Sequence, residues 1–218
     1  KELVFSGNLE VSTEALHHLF QHEQDEKFHL MQTYLSHPDY RISGAALWCA
    51  ARESRNNQKL QDQFKIKASV EQTLRQLPKI ADKEKKQFLK IICANVIGAV
   101  EIPELYPYLH FLFNDPSLEV IRAAIDNAGQ THQTEYLPAF IQLLRRKELW
   151  ESVQEAMMQY GSDIIPMLHF HLNKPYVNKN IRLGIPRILN LLGTQKSVDV
   201  LIQNLATRDP LVRYEVVT

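Results

Sequence analysis

The chain of 218 residues carries 25 basic and 25 acidic side chains, with 44% hydrophobic and 23% charged residues. That balance excludes a disordered chain and gives no overall attraction to nucleic acid, which proteins grip chiefly by neutralising phosphates. Only 7 glycines occur and no apolar run approaches the ~18 residues of a membrane span, so the expectation is an all-α, soluble fold.

The charge is unevenly spread: residues 1–40 have net charge −5, residues 41–90 net +7, and the remainder −2. Residues 1–26 read as an irregular N-terminal helical segment, with a helix over 12–22. On it Glu14, His18 and His22 follow at i, i+4 spacing, which puts all three on one face. No CxxC or HExxH pattern supports them as metal ligands, so the face reads as solvated and no metal or cofactor is expected. Cys49 and Cys93 lie in apolar stretches and behave as small buried hydrophobes, which suits a reducing compartment.

The stretch from Asn57 to Leu77 reads as one elongated helix of over five turns, projecting beyond its neighbours. The run KEKK (Lys83 to Lys86) opens the next helix, an end where cations are disfavoured. Lys83, Lys85, Lys86 and Lys90 are therefore the candidate contacts for an acidic partner, against the plain alternative of a solvated face. Arg145, Arg146 and Lys147 follow a helix and meet the negative end of its dipole, which accounts for them structurally.

Self-similarity organises the rest. IRAAIDNAG (Ile121 to Gly129) aligns with VQEAMMQYG (Val153 to Gly161) at an offset of 32, and further copies begin at Tyr40, Leu89, Ile181 and Val212. Each copy is preceded by apolar residues at three and four spacing: Leu105, Leu109, Leu112; Leu137, Ile141, Leu144; Ile164, Leu168, Leu172; Val198, Leu201, Leu205. Every unit is thus a helix A, a turn and a helix B. Pro38, Pro116, Pro175 and Pro210 mark turns, and Gly98, Gly129, Gly161 and Gly193 sit where helix B should stop. Small residues at Ser43, Ala124, Ala156 and Gly184 allow close helix approach.

These residues resemble the HEAT-repeat family, particularly its short-period bacterial form, from about Phe28 to the end. The resemblance implies a right-handed α-α superhelix, a HEAT/ARM-like solenoid of about six helix pairs, over residues 27–218 of a single repeat domain. In that family a turn aspartate and a helix-B arginine link successive repeats. Asp39, Asp115 and Asp209 with Arg41, Arg122, Arg182 and Arg213 stand at such positions, and Gln154 interrupts the ladder. The implied role is non-catalytic: holding another protein, or another domain of the same polypeptide, against an extended surface. Similar pieces occur beside membrane carriers or cyclic-nucleotide-binding modules, which implies a cytoplasmic place with a membrane tether elsewhere in the chain. The missing initiating Met and the cut last helix read as an excised segment of a longer protein.

Two enzyme classes share this scaffold. The HEAT-like di-iron hydroxylases carry several His-Glu pairs, whereas this chain has only His22–Glu23. The HEAT-like alkylpurine DNA glycosylases would cast Trp48, Trp150, Asp126 and Tyr160 around a damaged nucleotide, with the lysine run and Arg145 to Lys147 on phosphates. Zero net charge and a Trp48 that reads as core argue against that alternative. With no phosphate loop, nucleophile elbow or zinc spacing, no enzyme is expected.

Overall fold

The computed structural model describes residues 2–6, 8–22, 27–174, 176–207 and 209–217, without the side chains of His22 and Lys27. Among the described residues every regular element is helical. The chain divides into two compact units, Lys1–Asn127 and Ala128–Thr218.

The first unit contains α1 (Leu9–His22), α2 (Lys27–Leu35), α3 (Tyr40–Glu53), α4 (Gln58–Gln63), α5 (Ile66–Gln76), α6 (Lys83–Ala99), α7 (Tyr106–Leu112) and most of α8 (Leu118–Gln130). Helix α3 is the centre of its packing, touching α1, α2 and α6. Its buried face is built of Ala45, Ala46, Cys49 and Ala50, all fully buried, and small side chains let neighbouring helices come close. A Cβ at Gly44 would lie 2.9 Å from the Phe88 ring on α6. The close approach therefore falls at Gly44, one residue after Ser43. Helix starts are fixed by side-chain caps: Asp39 accepts from the Arg41 amide, Asn57 from Leu60 and Asp82 from Lys85.

The single helix expected over 57–77 is broken instead into α4 and α5. Lys65 takes a left-handed backbone, φ 54°, between them. The reason lies in the apolar spacing: Phe64 and Ile66 are both buried, and residues two apart face opposite sides of a continuous helix. Interrupting the helix at the exposed Lys65 lets both side chains point inward, followed by Val70 one turn later.

The second unit holds the end of α8 with α9 (Leu137–Leu143), α10 (Trp150–Met158), α11 (Ile165–Leu172), α12 (Lys179–Leu192), α13 (Gln195–Gln203) and α14 (Pro210–Val217). Helix α12 packs against α10, α11, α13 and α14. It buries Ile181, Leu183, Ile185, Ile188 and Leu189, and accommodates Pro186 within its length. A capping box, Thr194 with Ser197, opens α13.

The four glycines placed at helix ends fall into two kinds. Gly161 and Gly193 adopt φ 59° and 58°, the left-handed conformation that stops a helix. Gly98 and Gly129 lie inside α6 and α8, where they serve contact: a Cβ at Gly98 would collide with the Asn127 side chain, and one at Gly129 would meet the Ala156 Cα at 2.8 Å. Of the turn prolines, Pro175 lies outside the described residues.

One apolar row is reversed relative to expectation. Leu105, Leu109 and Leu112 are buried as the spacing predicts, as are Ile164, Leu168 and Leu172. In α13 the buried positions are Ser197, Val200 and, just beyond the helix, Asn204, while of the expected row Val198 and Leu205 are exposed and Leu201 is half-buried. The three and four spacing is met by both rows, and burial falls on the more polar one because the capping box turns Ser197 inward.

Candidate functional site

The turn aspartates do two different things. Asp115, at the start of α8, receives Lys90 Nζ from α6. The pair is well buried, with side-chain exposures of 15% and 6%, and Asp115 also caps Ser117. Asp209, before α14, lies 3.6 Å from Arg182 on α12. Both contacts join one helix to the turn that opens another, α6 to α8 and α12 to α14. Asp39 instead pairs with Arg41 of its own turn, at 3.0 Å and with a second bond at 3.2 Å, so this contact stays local. Arg122 is exposed, and Arg213 is exposed without an ion pair among the described residues. Gln154 has a buried Nε2 without an acceptor among the described residues.

The lysine run is split by the fold. Lys90 is committed to Asp115, which removes it from the candidate surface. Lys83 remains exposed at the start of α6, and Lys85 stacks over Tyr40, its Nζ 5.2 Å from the ring centroid. Tyr40 itself packs edge-on against Phe88 at 5.3 Å. Partial burial raises the Tyr40 pKa, with Glu84 adding to the effect. Asp82 and Glu84 sit among these lysines, so the corner is mixed in sign, and Asp82 offsets the cations at the helix start by capping it.

Two of the four residues that a DNA glycosylase would need, Trp150 and Tyr160, are otherwise engaged. Trp150 is 9% exposed, donates its ring N–H to the Leu144 carbonyl at 2.7 Å and packs near Gly184. Tyr160 donates its hydroxyl to the Gln133 carbonyl at 2.9 Å, and burial pushes its pKa up to about 12. Trp48 is half-buried in the first unit and Asp126 is exposed. Burial likewise pushes the Cys49 and Cys93 thiols up to about 12, leaving no activated nucleophile there.

On α1, Glu14 bonds Arg52 of α3, which holds its carboxyl below the usual range, and His17 lies against Glu53. Both contacts tie α1 to α3. The His22–Glu23 pair falls outside what is described. Among the described residues no three His, Cys, Asp or Glu side chains gather as a metal site, and no helix is long and apolar enough to cross a membrane.

The most distinctive surface belongs to the second unit. Val198, Ile202 and Leu205 form an outward row on and just after α13, and Leu211, Tyr214 and Val217 another on α14, each between 39% and 62% exposed. The spacing predicts Val198, Leu201 and Leu205 as the inward row, whereas Val198 and Leu205 face out and Leu201 is half-buried; the Thr194-x-x-Ser197 box that caps α13 is the available signal for its register. No family model matches the chain, and no curated protein matches it.

Proposed function

We propose that the chain is a non-catalytic, HEAT-like helical-repeat module that docks a protein partner, or another domain of its own polypeptide, on the outward apolar rows of α13 and α14. In this reading successive helix pairs stack as a right-handed solenoid of about six pairs. The contacts of α10, α12 and α14 in sequence, and the repeated cation-to-turn-aspartate links Lys90–Asp115 and Arg182–Asp209, support that stacking. The buried thiols suit a reducing, cytoplasmic setting.

The observation that carries the functional reading is the reversal in α13. A helix that turns Ser197 inward and Ile202 outward, the latter 58% exposed, leaves apolar area for something else to cover. The buried Trp150 and the engaged Tyr160 support binding over base excision.

Affinity capture with the intact chain and with an Ile202→Asp, Leu211→Asp variant tests this. The reading expects one captured protein to be lost from the variant while its helical circular dichroism is unchanged. Capture indifferent to both substitutions, or excision of a methylated base from DNA by the intact chain, would sink it.

A further inference from the structure

The break between α4 and α5 has a consequence on the other unit's surface, independent of the α13–α14 rows. Beside it lies a cleft of about 500 Å³, walled by α4, the start of α5 and residues 101–104. Gln61, only 4% exposed, forms part of the wall. Its Nε2 donates to the carbonyls of Ser54 at 3.0 Å and Arg55 at 2.9 Å, where it closes the end of α3. Its Oε1 is buried and accepts no hydrogen bond. Buried amide oxygens are nearly always supplied with a donor, so this one asks for an N–H or O–H from a bound group.

The charges of the wall narrow the donor. Four carboxylates line the cleft, Asp62, Glu71, Glu101 and Glu104, against the ammonium groups of Lys65 and Lys67. Lys67 is held by Glu104 at 2.9 Å, Glu71 is held by Arg75 at 2.9 Å, and Arg55 approaches Glu101 at 3.7 Å. Asp62 receives only the neutral Gln58 amide, at 3.1 Å, and forms no ion pair among the described residues. It stands one residue from Gln61. An entering anion would face four carboxylates against one unpaired ammonium among the described residues, Lys65; an entering cation finds an unpaired carboxylate and an acceptor in need of a donor in the same wall.

We propose that this cleft binds an alkylammonium group, presented by a linear polyamine or by a lysine side chain of a peptide. A primary ammonium offers three donors and no acceptor, which suits the Gln61 oxygen and the Asp62 carboxylate, while the exposed Lys65 can swing its own ammonium into solvent. The Gln61 oxygen and the Asp62 carboxylate are its recognising groups, with Glu101 adding longer-range attraction.

Calorimetric titration of the whole chain at low salt, with spermidine in one arm and a tetralysine peptide in the other, tests the proposal. Saturable one-site binding is expected in at least one arm: spermidine binding assigns a small polyamine, and tetralysine binding alone assigns a peptide lysine. Asp62→Asn should weaken that binding about tenfold, the order of a charged hydrogen bond, whereas Asp163→Asn in the other unit should leave it unchanged. Gln61→Leu should also weaken it; if that variant loses its helical signal, Asp62→Asn alone decides. No saturable binding in either arm, equal weakening by Asp163→Asn, or preferential binding of inorganic phosphate overturns the proposal.

Discussion

Arg187 on α12 clasps Glu215 on α14 through two hydrogen bonds, Nε to Oε2 at 2.7 Å and Nη2 to Oε1 at 3.0 Å, while its guanidinium carbon sits 5.0 Å from the Trp150 ring centroid. The Glu215 contact raises the Arg187 pKa. One side chain thus ties α10, α12 and α14 together. Because the guanidinium is half exposed, Arg187→Met should cost only about 1 kcal/mol. Arg187→Lys should recover part of the charge but not the fork geometry. Urea midpoints of the three proteins measure the difference.

Breaking the Lys90–Asp115 pair should cost more, because its members are largely out of water. Lys90→Met leaves the Asp115 carboxylate buried without its cation, an imbalance of about 3 kcal/mol. Adding Asp115→Asn should return part of that loss. A double-mutant cycle in chemical denaturation checks it, and a cost near zero for Lys90→Met would mean that the lysine stands in solvent.

Acid should weaken the start of α3. Hydrogen bonds from the Arg41 side chain and amide hold the Asp39 carboxyl below its usual pKa. A carboxyl depressed in the folded state stabilises above its unfolded pKa of about 4, and the contribution disappears as pH falls through the lower folded value. Asp39→Ala should therefore cost about 1 kcal/mol at pH 7. The gap between wild type and variant should narrow in thermal melts taken below pH ~4.

The glycines should separate by kind. At Gly129 the added methyl meets the Ala156 backbone, which has nowhere to go, so Gly129→Ala should cost about 1–3 kcal/mol. At Gly161 nothing lies within 4 Å of the new Cβ, and Gly161→Ala suffers only the left-handed backbone, about 1 kcal/mol. Gly161→Asn should be milder still. Melting temperatures rank the three.

Neither thiol should react with a disulfide reagent in the native protein. With pKa values of about 12, Cys49 and Cys93 hold on the order of one thiolate in ten thousand at pH 8. Labelling should begin only as denaturant opens the core, and its rate gives a direct reading of that opening.

Helix content was legible in the sequence because helix formers, turn prolines and the interval of 32 all agree. The helix A rows Leu105, Leu109, Leu112 and Ile164, Leu168, Leu172 are buried as their spacing implies. Two features escaped. The break at Lys65 hides because Leu60, Phe64 and Val70 by themselves look like one face; only Ile66, two places after Phe64, contradicts a continuous helix. The reversal in α13 hides because Val198, Leu201 and Leu205 meet the apolar pattern better than Ser197, Val200 and Asn204, and only capping and tertiary contact decide between them. The lysine run was readable as a cluster, but that Lys90 reaches a turn 25 residues away depends on packing, which no local pattern encodes.

A hairpin that encloses Ser197 and Asn204 where its predecessor encloses Ile165 and Leu172 gives up less oily surface when it opens. Its amides should be the first of the second unit to trade hydrogen for deuterium, well before those of α12. Any molecule that settles on Ile202 and Leu211 would slow that exchange, so recognition and local folding of the last two helices are a single equilibrium.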